Sequence, residues 1–299
     1  MNGLEWMRTA ALAVGLASLI AGCGTWVKYP DDVEPGGVSE LADFPEIDRC
    51  SHLVWDALLG EHLETSAEGL YVLVEYDALA EQGESGFLLQ QYVAMVNTMD
   101  PALLVDERER LAYWINGYNA AVVLGVVQQY GGDHGFSILD SGIFFDDPVY
   151  GFGGQLLSLN QVEQGVLRGD MDHPSVSSAT EDVRSFIEAA HADVFPDGQV
   201  DARIHVALNC ASLGCPNLRP AAPFAYRPEI LDEQLDEMSV DFASNDEKGA
   251  GPQGISRLFD WYGEDFVADF GSVEAFIEAY REGGAGDVVH KVLTLVPDE

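Results

Sequence analysis

Residues able to do chemistry gather in one stretch, RIHVALNCASLGCPNLRP from Arg203 to Pro220, which offers an imidazole (His205), an amide (Asn209) and two sulfurs (Cys210, Cys215). A cysteine attacks only as its thiolate, which a neighbouring base or cation favours. His205 as base with Cys210 or Cys215 as nucleophile would make a thiol hydrolase or acyltransferase acting on amide or acyl bonds. The same sulfurs could instead bridge the short CASLGC loop, or join His205 on zinc, although that ligand spacing fits no common zinc site. An oxidising compartment favours the Cys210–Cys215 bridge and leaves Cys50 as the odd thiol. RIHVALN reads as a strand. Alternation then puts His205 and Asn209 on one face and Cys210 with Ile204, Val206 and Leu208 on the apolar other, which counts against Cys210 as a nucleophile.

Two further polar sets must be positioned by helices. Asn116 and Asn119 lie one turn apart in a helix expected from Asp106 to Tyr130, where the run AAVVLGVV marks burial and Asp106 and Glu109 have capping-box spacing. Buried amides need partners, either neighbouring backbone or a bound ligand. Glu163 and Arg168 sit in a short helix, NQVEQGVLR, where Asn160 and Glu163 also have capping-box spacing and Arg168 complements the helix dipole. In an enzyme, Glu163 or Asn209 would orient His205 and Asn116 or Asn119 would stabilise an oxyanion. In a binding or scaffold protein the same groups form a satisfied internal network. Either way His205, Asn209, Asn116, Asn119, Glu163 and Arg168 are expected to converge, with Glu163 reaching the His205 ring and Arg168 competing for that carboxylate. The Asp-rich pieces FFDD and GDMDH complete no calcium-loop pattern, and neither a metal nor a cofactor is expected.

The remaining elements give the frame. Helices are expected at LVWDALLGEHLE from Leu53, GLYVLVEYDALAEQ from Gly69, GFLLQQYVAMVNTM from Gly86, from Val183 to Ala192 and from Pro228, with short strands in IFF and VYGF. Helices, a few strands, then helices again predict a single α+β domain over 47–299, helix-rich and packed on a small, mostly antiparallel sheet.

The start of the chain speaks of location. The apolar run after Arg8 is shorter than the about 20 residues a spanning helix needs but suits a signal peptide over residues 1–22. It closes on Ile20-Ala21-Gly22-Cys23, which resembles the lipobox of bacterial lipoproteins. The resemblance implies a palmitate-bearing Cys23 as mature N-terminus, and Gly24 in place of the inner-membrane retention aspartate implies an outer-membrane lipoprotein facing the periplasm. Residues 23–46, rich in Gly, Pro and Asp, read as a flexible tether. The partner at this end is the membrane, reached through the Cys23 lipid anchor.

YWINGYNAAVV from Tyr113, LNQVEQGVLR from Leu159, the Arg203 stretch and ISRLFDWYGEDF from Ile255 together resemble the domain of unknown function family 547, over about 55–280. The resemblance marks Asn116, Asn119, Glu163, Arg168, His205, Asn209, Cys210, Cys215 and Pro216 as recurrent positions. Gln164 departs from it, standing where the family often has His. A more distant papain-like or transglutaminase-like analogy is at the level of fold only.

Composition excludes other classes. A chain of 299 residues with 47% hydrophobic side chains carries ample core. Its 51 acidic against 14 basic residues give a net charge of -37, which repels phosphate backbones, so no nucleic-acid partner is expected. A protein or envelope polymer of cationic or polysaccharide character fits such a surface.

Overall fold

The computed structural model describes residues 52–80, 83–130, 138, 143–252, 254–281 and 283. The leader, Cys23, the tether and Cys50 lie outside these residues. At the centre stands α4 (Glu107–Tyr130), preceded by α1 (Leu53–His62), β1 (Leu63–Thr65), β2 (Val72–Val74), α2 (Tyr76–Ala80) and α3 (Glu84–Thr98). Every residue of α4 from Leu111 to Val126 is buried, as expected of a helix apolar around most of its circumference. Its start is capped by Asp106, whose carboxylate accepts from the Glu109 amide at 3.0 Å, while Glu109 reaches back to the Val105 amide at 2.6 Å.

After α4 come the hairpin β3 (Tyr150–Phe152) and β4 (Gln155–Leu157), a wide helix over Gln161–Leu167, α5 (Pro174–Ser177), α6 (Glu181–Val194) and α7 (Ile204–Ala207). The chain closes with α8 (Leu231–Ser244), the hairpin β5 (Ala250–Gly251) and β6 (Gly254–Ile255), then α9 (Leu258–Trp261), α10 (Gly263–Phe270) and α11 (Val273–Tyr280). α3, α6 and the wide helix pack around α4, and α10 and α11 pack on each other beside α8. The fold is α+β and helix-rich, with its strands in three separate two-stranded antiparallel hairpins among the described residues rather than in one sheet.

Several local expectations are corrected. RIHVALN is no strand: Ile204–Ala207 form one helical turn, and only Leu208 turns extended. His205 and Asn209 therefore share no strand face, and the parity assigned to Cys210 does not apply. The stretch from Gly69 splits into β2 and α2, because Val72, Leu73 and Val74 pair with β1. Glu64 likewise leaves α1 for β1. IFF is a turn, whereas VYGF supplies β3. Asn160 does not cap its helix, which runs wide, with the Arg168 amide reaching the Glu163 carbonyl five residues back.

Close approach to α4 depends on Gly125. A Cβ there would collide with Tyr150 Oη and lie 2.9 Å from Phe144 Cζ. Gly125→Ala is expected to destabilise the fold by about 1 to 3 kcal/mol through overpacking. Urea unfolding checks it; an unchanged midpoint would show that the β3 contact yields freely.

Candidate functional site

The polar groups divide into two sets, amides that hold backbone beside α4 and a cluster around Tyr262 that gathers His205, Glu163 and Arg168. Asn116 clamps the backbone of Tyr226, donating to its carbonyl at 2.8 Å and accepting from its amide at 2.9 Å. Asn119 makes the same two-point clamp one turn on: Nδ2 donates to the Ala207 carbonyl at 3.0 Å and Oδ1 accepts from the Asn209 amide at 2.9 Å. Both amides are spent on backbone. Asn209 in turn spans its own loop, donating to the Pro216 carbonyl at 2.7 Å and accepting from the Ala211 amide at 2.9 Å.

Between these clamps Tyr118 points to a second cluster. Its hydroxyl donates to Glu163 at 2.8 Å, and Glu163 also accepts from Tyr262 Oη and from Gln164 Nε2. The carboxylate expected to orient His205 is thus occupied by two phenols and an amide. Asp265 does that work instead, with His205 Nε2 2.8 Å from its Oδ2. Arg168 also turns to Asp265, through Nε at 2.6 Å and Nη2 at 3.3 Å, and donates to Gln164 Oε1 at 2.7 Å. Arg168 therefore does not compete for Glu163. The His205 ring stacks on Tyr262, centroids 4.0 Å apart and nearly parallel, and the Arg168 guanidinium lies 5.0 Å from the same ring.

Electrostatics assign the protons. Burial would raise the Asp265 carboxyl, but hydrogen bonds from His205 and Arg168 outweigh it and hold the group at about 2. Burial pushes His205 below the ordinary imidazole value, against the pull of Asp265. Arg168 is a permanent cation that sustains the Asp265 charge, so His205 stays neutral, donates an Nε2–H hydrogen bond to the Asp265 carboxylate and carries a lone pair on Nδ1. That nitrogen is buried without a hydrogen-bond partner. A carboxylate-held neutral imidazole is the state of a general base. Here, however, the side chain is 1% exposed. An open groove lined by Phe259, Asp260, Gly263, Glu264, Val267, Ala268 and Val273 includes neither His205 nor its partners.

The sulfurs decide what the base can serve. Cys210 and Cys215 are bonded to each other, with Cα atoms 5.9 Å apart. Bridged sulfurs supply neither a thiolate nucleophile nor zinc ligands. Among the described residues no group of three or more His, Cys, Asp or Glu is arranged to hold a metal, and no helix is long and apolar enough to cross a membrane.

Residues 103–243 match the family model described as Protein of unknown function, DUF547. That stretch of the chain is similar to the DUF547 family. The matched stretch is narrower than the resemblance read from the motifs, yet it holds Asn116, Asn119, Glu163, Arg168, His205, Asn209, Cys210, Cys215 and Pro216. No curated protein and no solved structure matches the chain, so the papain-like and transglutaminase-like analogy carries no argument. Tyr262 and Asp265, which complete the network, lie beyond residue 243. Their signal stood in ISRLFDWYGEDF, a motif whose individual residues pattern alone did not single out. Tyr118 was similarly hidden in YWINGYN.

Proposed function

We propose that this protein, whose residues 103–243 match the DUF547 family, is a periplasm-facing lipoprotein of the outer membrane with a binding or scaffold role, in which the polar constellation serves as an internal brace. The observation that carries this reading is the fate of the amides and sulfurs: Asn116, Asn119 and Asn209 each pin backbone, and the two sulfurs close on one another. A thiol enzyme built on Cys210 or Cys215 needs one of those sulfurs free. The net charge of -37 favours a cationic partner for the exposed surface.

Two measurements test the parts of this reading. Alkylation of the unreduced native protein should label neither Cys210 nor Cys215, whereas labelling of either would restore the thiol hydrolase or acyltransferase. Cys23→Ala should move the protein from the membrane fraction to the soluble one, because the acyl chains hold it there. Continued membrane fractionation of that variant would remove the lipoprotein assignment.

A further inference from the structure

The Cys210–Cys215 bridge closes a loop of sequence separation 5. Such short loops are where a disulfide removes least entropy from the unfolded chain. Its ends are also held without it. Asn209 Nδ2 spans the loop to the Pro216 carbonyl, and the Asn209 amide is fixed by Asn119. On the far side Asn217 accepts from the Val72 amide at 3.0 Å and donates to Asp241 at 2.9 Å. A structural staple is therefore redundant here.

Three other observations suit a bond that is meant to open. Both cysteines are half-buried, not sealed in the core, and the turn between them is open, with Gly214 exposed and Leu213 62% exposed. Ala211, directly after Cys210, sits at φ 58°, in the left-handed region that a Cβ disfavours. Opening the loop lets Ala211 relax.

We infer that Cys210–Cys215 is an exchangeable redox disulfide, reduced by dithiols in the folded protein and driven toward the dithiol form by strain at Ala211. This goes beyond the binding or scaffold role and does not depend on it. In the step, a thiolate of the dithiol attacks Cys215 Sγ, reached past the exposed Leu213–Gly214 turn. An intermolecular S–S bond forms as the Cys210–Cys215 bond breaks, and Cys210 departs as a thiolate that takes a proton from water. The second thiolate of the reductant then attacks the mixed disulfide at the reductant's own sulfur and releases Cys215, which is protonated in turn. The protein gains two electrons and two protons, and the dithiol becomes its cyclic disulfide.

The test equilibrates the full chain in buffers of set reduced-to-oxidised dithiothreitol ratio at neutral pH, without denaturant. Acid quenching, alkylation and peptide mapping read Cys210 and Cys215 separately from Cys23 and Cys50, and circular dichroism follows the fold. Both cysteines should become alkylatable while the dichroism stays unchanged. Ala211→Gly should need about threefold more reduced dithiothreitol to reach the midpoint, the lost Cβ strain outweighing the added backbone freedom. Reduction that occurs only as the protein unfolds, or an unmoved midpoint in Ala211→Gly, would overturn the inference and leave the scaffold reading standing.

Discussion

Lowering the pH from 7 toward 3 should strip several kcal/mol from the stability of this protein, beginning before most carboxylates protonate. His52 is the main cause. It is buried at the start of α1 with Nδ1 2.6 Å from Tyr92 Oη, and burial first, then the charge of Arg227, lower it from the ordinary 6.5 to about 3. A depressed folded value means that stability is complete above pH 6.5 and is lost as pH falls toward the folded value, because the unfolded chain takes up a proton the folded one refuses. That linkage amounts to about 1.4 kcal/mol per pH unit and about 4 kcal/mol across the interval. His205, also lowered by burial, adds loss of the same sign below pH 6.5. Asp265, held at about 2 against an ordinary 3.8, contributes a last increment that disappears only between those two values.

Two effects oppose this trend. Asp241 and Asp269 are raised by burial, so they favour the folded state as they protonate. Protonating a chain of net charge -37 also relieves self-repulsion, which about 0.5 M salt would already have screened, the Debye length then lying between 3 and 10 Å. Urea titrations in such salt at pH 7, 6, 5 and 4 should therefore show a falling unfolding free energy. His52→Asn, which tolerates the left-handed φ of 52° at this position, should flatten the slope by about half. A free energy constant from pH 7 to 5 in the unmodified protein would show that the buried imidazoles reach water.

What could be read from the sequence differs by element for physical reasons. α4 was legible because an apolar run longer than two turns, with a capping pair before it, has one stable outcome. The Cys210–Cys215 bridge was legible as one of three alternatives, since proximity in sequence brings two sulfurs together whatever the fold around them. RIHVALN was not legible as helix. Ile204 and Val206 alternate with polar residues as a strand would, and a single turn of four residues is too short to display a helical period. The stretch at Val72–Val74 failed the opposite way, because its pairing partner, Leu63–Thr65, lies in what looked like the tail of a helix. Asp265 was out of reach for a compositional reason: among 51 acidic residues nothing marks the one that will hold an imidazole and a guanidinium. Of the six polar residues expected to converge, His205, Glu163 and Arg168 gather around Tyr262 and Asp265, whereas Asn116, Asn119 and Asn209 are taken up by backbone, because each amide found backbone before it found another side chain.

Asn119→Ala should lower the unfolding free energy by about 3 to 4 kcal/mol, the two lost bonds each leaving a buried backbone group unpaired at about 1 to 3 kcal/mol. The groups are the Ala207 carbonyl and the Asn209 amide, on residues 1% and 9% exposed, and Asn119 itself is 2% exposed. Alanine also leaves a void where the amide stood, and the close packing of α4 limits collapse into it. Asn119→Asp keeps the acceptor for Asn209 but turns a second oxygen toward the Ala207 carbonyl, so it should be no better than alanine. Asn116→Ala, acting on Tyr226 alone, should cost a comparable amount, and the double variant should lose close to the sum because the two clamps hold different segments. Urea denaturation of the four variants, read by tryptophan fluorescence, measures these values directly. The size of the loss separates two uses of the amides. In a bracing network water cannot replace them and the full penalty appears. In a ligand site they would be hydrated when empty, and alanine would cost less than about 1 kcal/mol while abolishing binding. A small loss at Asn119 would therefore reopen the site that its two backbone bonds argue against.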